Sequence, residues 1–363
     1  MNIKLSETRK LFVVFLIAFA CRSILALYRV FYGISFNYNL ELYSDFNTYY
    51  VMWLRDFGNG NMLYVNIPYF FYPPGFILFL YPFYLLGLPM FPFFFLDALT
   101  AVFVFKVVSV IRPANAFSAG LAYALLPTAL LYEGYVWFST QPFLFFAVVA
   151  TYFAVIGRPY FSGILLGVSF LMKQEAFIFF LPLLLYFFYE KRGINVLKVI
   201  VSASSVFILI SLPYSIALPL HYIDAMTIGL AGFRGFAMPS NSFTSMHYMA
   251  LSYAMVPVII ALWFEVKQME INCFTISAVF FNAVLSVLFF WYILYPYRYY
   301  IIPLYVLLIL GSNSKRSYLG LFIMSGLSLL LPSGVIQQIA LSTYLTIHFA
   351  LNEEKPPQPL VVT

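Results

Sequence analysis

The residue best placed to do chemistry is Asp45, which stands in an aromatic segment soon after the first long apolar run of the chain. An acid at the outer mouth of a membrane helix can act as a general base on a substrate in the membrane, if it reaches the reacting hydroxyl. The alternative is a solvated aspartate that caps a helix over residues 46–57, because Asp is favoured at helix N-caps. The sequence leaves both interpretations open, and we expect residues 42–76 to form half of an active site.

Several cationic side chains fall in segments that we expect on the outer side of the membrane, where basic residues are uncommon. Lys and Arg bind phosphate, Arg through two parallel hydrogen bonds and Lys as a point charge. The alternatives are that each side chain snorkels to the interface, or pairs with a nearby acid, as Lys173 could with Glu175. Together they predict a binding site for an anionic lipid head group, drawn from Lys173, Arg298, Arg234 and His221.

Arg22 differs from these bases because it lies inside the first apolar run. About eleven residues at about 1.5 Å each place it near the middle of the membrane. Ionisable residues at that depth usually face a cavity or a partner. Asp97 and Glu133 are the two candidate partners, and the sequence does not choose between them.

Several other chemistries lack their signatures. The three histidines, at positions 221, 247 and 348, do not have the spacing of zinc ligands. No cluster of outer acids resembles the oxygen cage of a hard cation, so we predict no metal. The chain has no phosphate-binding P-loop and no dinucleotide fingerprint, so we predict no cofactor. Its bases do not form a stripe, which argues against nucleic acid as a partner.

Composition identifies the membrane as the solvent of this chain. Hydrophobic residues make up 63% of the sequence and charged residues 9%, against about 25% charged in soluble domains. Continuous apolar runs are typical of membrane helices rather than of barrel strands, so we predict an all-α polytopic bundle of about 11–13 spans. The candidate spans are 11–31, 92–111, 116–133, 140–157, 160–173, 175–189, 195–215, 248–266, 273–294, 298–311, 318–332 and 334–351.

Two further segments are predicted to be helices that do not cross. The helix over 46–57 should rest on the membrane interface through Tyr49, Tyr50 and Trp53. Residues 75–88, interrupted by prolines, should lie in the outer leaflet.

The distribution of basic residues predicts the orientation. If 75–88 does not cross, the inner side holds most of the 19 Lys and Arg, and both chain termini are cytoplasmic. The inner bases are then Lys4, Arg9, Lys10, Lys106, Arg112, Arg158, Lys191, Arg192, Lys198, Lys267, Lys315, Arg316 and Lys355. Residues 1–351 form one integral-membrane domain, in which the outer loops 32–91 and 216–247 build the active site. The Pro-rich tail 352–363 is predicted to be disordered in the cytoplasm.

In their order along the chain, these residues resemble the GT-C superfamily of membrane glycosyltransferases, which use polyprenyl- or dolichyl-phosphate sugars. The resemblance covers residues 11–190 best and the C-terminal half loosely. It is carried by Arg22, Asp45 and Tyr49, Gly60 and Tyr64 before Tyr72-Pro73-Pro74, Asp97, Pro127…Glu133…Trp137…Gln141, Gly163…Gly167…Lys173-Gln174…Pro182, and Arg298-Tyr299.

The resemblance implies an inverting, metal-independent transfer of a sugar, such as the hexose mannose, to an acceptor hydroxyl on the outer or lumenal face. The acceptor would be a glycan, a lipid or a protein. Asp45 would be the catalytic base, and Lys173, Arg298 and Arg234 would bind the donor phosphate. Substrate would contact Tyr49, Tyr72, Gln174, Glu133, Gln141 and His221. The chain departs from many relatives in having Glu133 and Gln141 where those relatives show a further Asp.

Two rival functions remain open. A transporter or lipid flippase would need polar residues along a path through mid-membrane, and Arg22 is the clear example. A polymerase or ligase of lipid-linked glycans would use the same outer bases with a large second acceptor. The cell membrane of a prokaryote is the expected location, although a protein of the endoplasmic reticulum would have a similar sequence.

Overall fold

The computed structural model describes residues 6–33, 45–67, 70–231, 245–266, 272–292, 301–331 and 334–351. Within these ranges the chain is helical and contains no strand, which confirms the all-α prediction. Four helical segments are long and apolar enough to cross a membrane: Glu7–Tyr32, Phe91–Ile111, Pro113–Val136 and Gly193–Ala217.

The described chain contains sixteen α-helical segments. The N-terminal half contains α1 Glu7–Tyr32, α2 Val51–Gly58, α3 Pro74–Leu85, α4 Phe91–Ile111, α5 Ala116–Ala124, the single turn α6 Pro127–Ala129, α7 Thr140–Val155 and α8 Pro159–Met172. The C-terminal half contains α9 Phe180–Tyr189, α10 Gly193–Ala217, α11 Pro219–Ala231, α12 Ser245–Val266, α13 Cys273–Tyr292, α14 Ile302–Gly311, α15 Lys315–Leu330 and α16 Gly334–Leu351.

Two π-helices interrupt this pattern, a first over Phe46–Tyr50 and a second over Leu130–Val136. The first leads directly into α2, and the second follows α6. Segments with π-helical hydrogen bonding are rare and frequently mark functional sites. Here the first directly follows Asp45 and the second contains Glu133, two residues that the sequence singles out.

The centre of the bundle is built around α4, which packs against α1, α5 and α7. Its buried side chains include Val104 and Phe105, both closed to solvent. Every residue of α14 is also buried, so this helix lies in the interior of the protein.

A second layer consists of α7, α8 and α10. On α8, Gly163 and Gly167 allow α10 to approach closely, because a Cβ at either position would lie 2.6 Å from a backbone carbonyl oxygen of Val199 or Ala203. This contact fixes the helix that ends immediately before Lys173.

The ends of most predicted spans lie within a few residues of the ends of an observed helix. The predicted span 116–133 falls within Pro113–Val136, which is long and apolar enough to cross a membrane, although its α-helix is interrupted after Ala124. Pro127 has no N–H to continue α5, so it starts a new helical turn instead. The predicted span 175–189 similarly begins with a 3₁₀-helix, Gln174–Phe179, before α9.

The helix predicted over 46–57 is present, but its predicted surroundings are wrong. Tyr50 and Trp53 are each 1% exposed and pack within the protein rather than on the membrane interface. The segment 70–76 supplies the rings that cover them, among them Phe70 against Trp53 at 5.1 Å. Tyr49 is partly buried and packs on Trp53 with ring centres 5.8 Å apart.

The segment predicted at 75–88 is α3, whose first two turns are buried against α2, α8 and α10. Its place in the outer leaflet stays a prediction. The tail 352–363 and parts of both predicted outer loops, residues 34–44 and 232–244, lie outside the described residues.

Candidate active site

Asp45 lies at the start of the first π-helix and is partly buried. Its backbone is already in the right-handed helical region, and its side chain makes no capping hydrogen bond. Asp45 therefore occupies the N-cap position but does not cap the helix with its side chain. The next residue, Phe46, is 4% exposed and anchors the beginning of this π-helix in the protein.

Aromatic rings form the wall behind Asp45. Tyr50 stacks on Phe93 with ring centres 6.0 Å apart and meets Phe76 edge-on at 5.1 Å. Trp53 meets Tyr72 edge-on at 5.5 Å. This apolar wall excludes water, and the resulting burial raises the pKa of Asp45 to about 6, with the positive charge of Lys173 acting in the opposite direction.

Lys173 reaches the same place from a distant part of the chain. It follows the last residue of α8, takes an extended backbone conformation and is 2% exposed. Its ammonium nitrogen lies 5.7 Å from the centre of the Tyr72 ring, within the range of a cation–π interaction. The segment 42–76 and the end of α8 thus meet at one site, where Asp45 and Lys173 interact electrostatically.

The close approach of these two segments depends on Gly75. A Cβ at this position would lie 2.5 Å from the Cβ of Leu171 and 2.7 Å from the Leu171 carbonyl oxygen. A side chain larger than hydrogen would therefore push the Tyr72-Pro73-Pro74 turn away from the end of α8.

Three hydroxyl groups form a connected cluster next to the charged pair. The hydroxyls of Tyr72 and Ser139 are 2.8 Å apart, and the backbone N–H of Ser139 donates to the Tyr50 hydroxyl at 3.2 Å. Tyr64 donates from its own hydroxyl to the Tyr72 carbonyl at 2.9 Å. Burial raises the pKa of Tyr72, against the opposing effect of Lys173, so Tyr72 stays a neutral hydroxyl.

Gln174 lies beside Lys173 and supports the turn that carries Tyr72. Its side-chain Nε2 donates to the Phe71 carbonyl at 2.8 Å. This bond ties the beginning of the 3₁₀-helix to residues 71–74, so Gln174 has a structural use whether or not it contacts a substrate.

Glu133 and Gln141 are both fully buried behind this site. Gln141 donates from Nε2 to the Thr100 hydroxyl at 2.9 Å. Neither carboxyl oxygen of Glu133 has a hydrogen-bond partner among the described residues. The charged groups that act on Glu133 electrostatically are Asp97, Lys173 and Arg22. Glu133 thus lies between the site at Lys173 and a second buried charge cluster.

That second cluster is an ion pair between Arg22 and Asp97. Of the two acids that the sequence offers as partners of Arg22, it is therefore Asp97 that forms the ion pair. Tyr123 also donates its hydroxyl to Asp97. The guanidinium donates in addition to the Ala124 carbonyl at 2.7 Å, at the end of α5 where the helix leaves carbonyls without intrahelical partners. Every strong donor and acceptor is therefore used within the protein, as expected of a structural ion pair.

Of the remaining predicted site residues, only His221 lies within the described part of the chain. His221 is exposed on α11, and its neighbour Tyr222 is the residue that packs on Tyr64, at 5.4 Å. Arg234 and Arg298 lie outside the described residues. No group of three or more His, Cys, Asp or Glu side chains in the described part of the chain could hold a metal ion.

The chain matches no family model, no curated protein and no solved structure. Its function must therefore be argued from the site itself.

Sequence reasoning missed three residues of the site: Ser139, Tyr50 and Arg29. Ser139 carries no motif, and Tyr50 looked like a membrane-facing aromatic. Arg29 is one of the bases that the predicted orientation leaves within the membrane or outside it, for which snorkelling is the ordinary explanation. It is instead 4% exposed and stacks on Trp137.

Proposed function

We propose that this protein is an integral-membrane glycosyltransferase that transfers a sugar from a polyprenyl-phosphate donor to an acceptor hydroxyl. The observation that carries the proposal is that buried Lys173, remote from Asp45 in sequence, lies near enough for its positive charge to act on the partly buried Asp45 carboxyl. A carboxylate beside an ammonium is the pair that a sugar transfer with a phosphate leaving group requires.

In the proposed reaction, the Asp45 carboxylate accepts the proton of the acceptor hydroxyl. The acceptor oxygen then forms a bond to the anomeric carbon of the sugar, and the bond between that carbon and the phosphate oxygen breaks. The phosphate oxygen leaves with the electron pair, so the lipid departs as a phosphate anion and the configuration at the anomeric carbon is inverted. No redox partner is needed.

The charge that develops on the leaving phosphate is the step that most needs stabilisation. A buried ammonium is more effective for this purpose than an exposed one, because little water screens it. Lys173 satisfies this condition, and the Tyr72 ring beside it keeps the ammonium in place. Arg234 and Arg298 are further proposed phosphate ligands.

A half-buried acid with a pKa of about 6 suits the role of Asp45. Near neutral pH such a group is largely ionised, yet it is a stronger base than an ordinary aspartate, so it can both accept and release the proton. The neighbouring hydroxyls of Tyr72 and Ser139 are placed to orient an acceptor or a sugar hydroxyl by hydrogen bonding.

The membrane arrangement of the proposal follows the basic residues of the sequence. It places both termini in the cytoplasm, crosses the membrane about twelve times in multi-pass fashion and opens the site on the outer face. An outward-facing site has no ready access to cytosolic nucleotide sugars, which favours a lipid-borne donor. The resemblance to GT-C glycosyltransferases agrees with this arrangement and adds a hexose such as mannose as the transferred sugar.

The proposal is tested by incubating the purified protein in vesicles with a panel of radiolabelled polyprenyl-phosphate sugars and identifying the labelled product. We expect one donor to give a labelled glycan, lipid or peptide in the absence of added metal. Transfer to long lipid-linked glycans would indicate a polymerase or ligase instead. Movement of the labelled lipid across the bilayer without any product would indicate a flippase and contradict the proposal.

A further inference from the structure

Arg29 forms an unusual contact at the outer end of α1. Its guanidinium carbon lies 3.5 Å from the centre of the Trp137 ring, which is the distance of direct stacking. The same guanidinium donates to the backbone carbonyls of Tyr135, at 3.0 Å, and Val136. Arg29 therefore holds both the last residues of the second π-helix and the aromatic residue that follows it.

Trp137 is itself held in a strained backbone conformation. Its φ of 61° and ψ of 58° are left-handed, a conformation that is strained for a bulky residue. The indole N–H donates to the Gly134 carbonyl at 3.1 Å, which fixes the ring orientation. Strain of this kind persists where the surroundings over-determine the conformation, and here Arg29 and Gly134 do so.

The other side of this unit faces the residue next to Asp45. The Phe46 ring meets Trp137 edge-on at 5.0 Å, and the Arg29 guanidinium carbon lies 5.5 Å from the Phe46 ring centre. Phe93 covers Phe46 from a further direction, at 5.6 Å. Three remote parts of the chain therefore meet at Phe46, which is covalently joined to Asp45.

We propose that Arg29 and Trp137 are positioning residues, which act through Phe46 to hold the Asp45 carboxyl in the partly buried place where it can serve as a base. Arginine is required because its planar guanidinium can stack flat on the indole and donate to two carbonyls at the same time, whereas a lysine ammonium is a point charge that cannot do both. The catalytic consequence rests on the proposed function, whereas the effect on the position of residue 45 does not.

The position of residue 45 can be measured without any substrate. In a background with Cys21→Ala and Cys273→Ala, Asp45→Cys gives a single thiol whose labelling by a membrane-impermeant maleimide reports its accessibility. We expect Arg29→Lys to accelerate labelling at least about tenfold. Arg55→Lys, on an exposed side chain of the adjacent α2, is the matched control and should leave the rate unchanged.

Two variants of Trp137 separate the ring from the backbone strain. Trp137→Gly removes the ring but suits the left-handed backbone, and we expect fast labelling as in Arg29→Lys. Trp137→Phe keeps an aromatic ring, and we expect a rate within about threefold of the parent. If the glycine variant labels as slowly as the parent while remaining folded, the ring does not position residue 45 and the inference is overturned.

The effect on catalysis is measured from the pH dependence of the transfer rate, whose acid limb is the rise in rate as the Asp45 carboxyl ionises. Freeing Phe46 admits water to the carboxyl, so in Arg29→Lys the limb should move from about pH 6 toward the ordinary value of 3.8. An unmoved limb together with unchanged thiol labelling would overturn the inference. If the wild-type protein transfers no sugar but labelling responds to Arg29→Lys, the positioning role stands and the proposed function falls.

Discussion

The ammonium nitrogen of Lys173 lies 5.7 Å from the centre of the Tyr72 ring. Tyr72 belongs to the 70–76 segment and Lys173 follows α8, and these two parts of the chain meet where Gly75 approaches Leu171. Tyr72 shares a hydrogen bond with Ser139, and both Tyr72 and Lys173 act electrostatically with Asp45. This arrangement places a partly buried base beside a buried cation and a buried hydroxyl cluster.

The pH profile of the proposed transfer should reflect Asp45. Because the base must be ionised, we expect kcat/KM to rise with pH through about 6 and to level above it. Lys173→Gln removes the charge that lowers the pKa of Asp45, so its acid limb should shift to higher pH. Initial rates between pH 4.5 and 8.5 measure both effects. A limb near 4 in the wild type, or a downward shift in Lys173→Gln, would contradict the account.

The burial of Asp45 should also have a cost in stability. The folded protein holds the pKa of Asp45 above its usual 3.8, so the stability that this group contributes is present below that value and is lost as pH rises through about 6. Asp45→Asn cannot ionise and escapes this loss, which amounts to at most about 3 kcal/mol before solvent screening. We expect the Tm advantage of Asp45→Asn over wild type to grow between pH 4 and pH 8. An advantage that is constant with pH would show that the carboxyl is well solvated.

The ion pair of Arg22 and Asp97 should matter for stability more than for chemistry. Asp97→Asn leaves a buried guanidinium without its counter-charge, and we expect a loss of about 3–5 kcal/mol in unfolding free energy. Replacing both residues, as in Arg22→Met with Asp97→Leu, should recover much of that loss. Chemical unfolding in detergent measures the cycle. If Asp97→Asn folded as stably as wild type but lost activity, the pair would belong to the functional machinery.

Glu133 should tolerate replacement by its neutral isostere. An ionised carboxylate is costly in a fully buried site, so we expect this side chain to be a neutral acid. Glu133→Gln should then keep the Tm and the transfer rate within about twofold to threefold of wild type. Glu133→Lys adds a buried cation near Lys173 and should prevent folding. A selective loss of transfer in Glu133→Gln, with unchanged stability, would show that the acid uses its charge.

The contact between α8 and α10 should be intolerant of added volume. Gly167→Ala places a Cβ 2.6 Å from the Ala203 carbonyl oxygen, so the helices must separate, at a cost of about 1–3 kcal/mol. Gly193→Ala, at the start of α10 with open space around it, is the matched control. Thermal unfolding should show a lower Tm for Gly167→Ala and an unchanged Tm for Gly193→Ala. Equal Tm values would mean that the helix pair relaxes freely.

The helices themselves were predictable, because continuous apolar runs must satisfy their backbone hydrogen bonds internally in lipid. The places where helices break, and whether a helix face meets protein or membrane, were harder to predict. The aromatic face of the first π-helix and α2 looked like a membrane-resting surface, since nothing local reveals that the 70–76 segment will cover Tyr50 and Trp53. The break after Ala124 depends on Pro127, whose effect is local, but a proline can also be accommodated within a membrane helix.

The site was predictable in part. Asp45 and Lys173 were singled out by residue type and by their resemblance to a family, whereas their proximity depends on the close approach of Gly75 to Leu171. The choice of Asp97 over Glu133 as the partner of Arg22 needed the relative placement of α1, α4 and α5. The left-handed conformation of Trp137 could not be predicted, because a tryptophan gives no signal of positive φ.

The most direct measurement compares Asp45→Asn with Asp56→Asn in the transfer of radiolabelled sugar from polyprenyl phosphate by purified protein. Asp56 is an acid of the adjacent α2 that pairs with the exposed Arg55, so its variant controls for the loss of a nearby charge. The account predicts that Asp45→Asn loses at least about a hundredfold in rate while remaining folded, and that Asp56→Asn keeps wild-type activity. Transfer by Asp45→Asn at the wild-type rate would contradict the central claim.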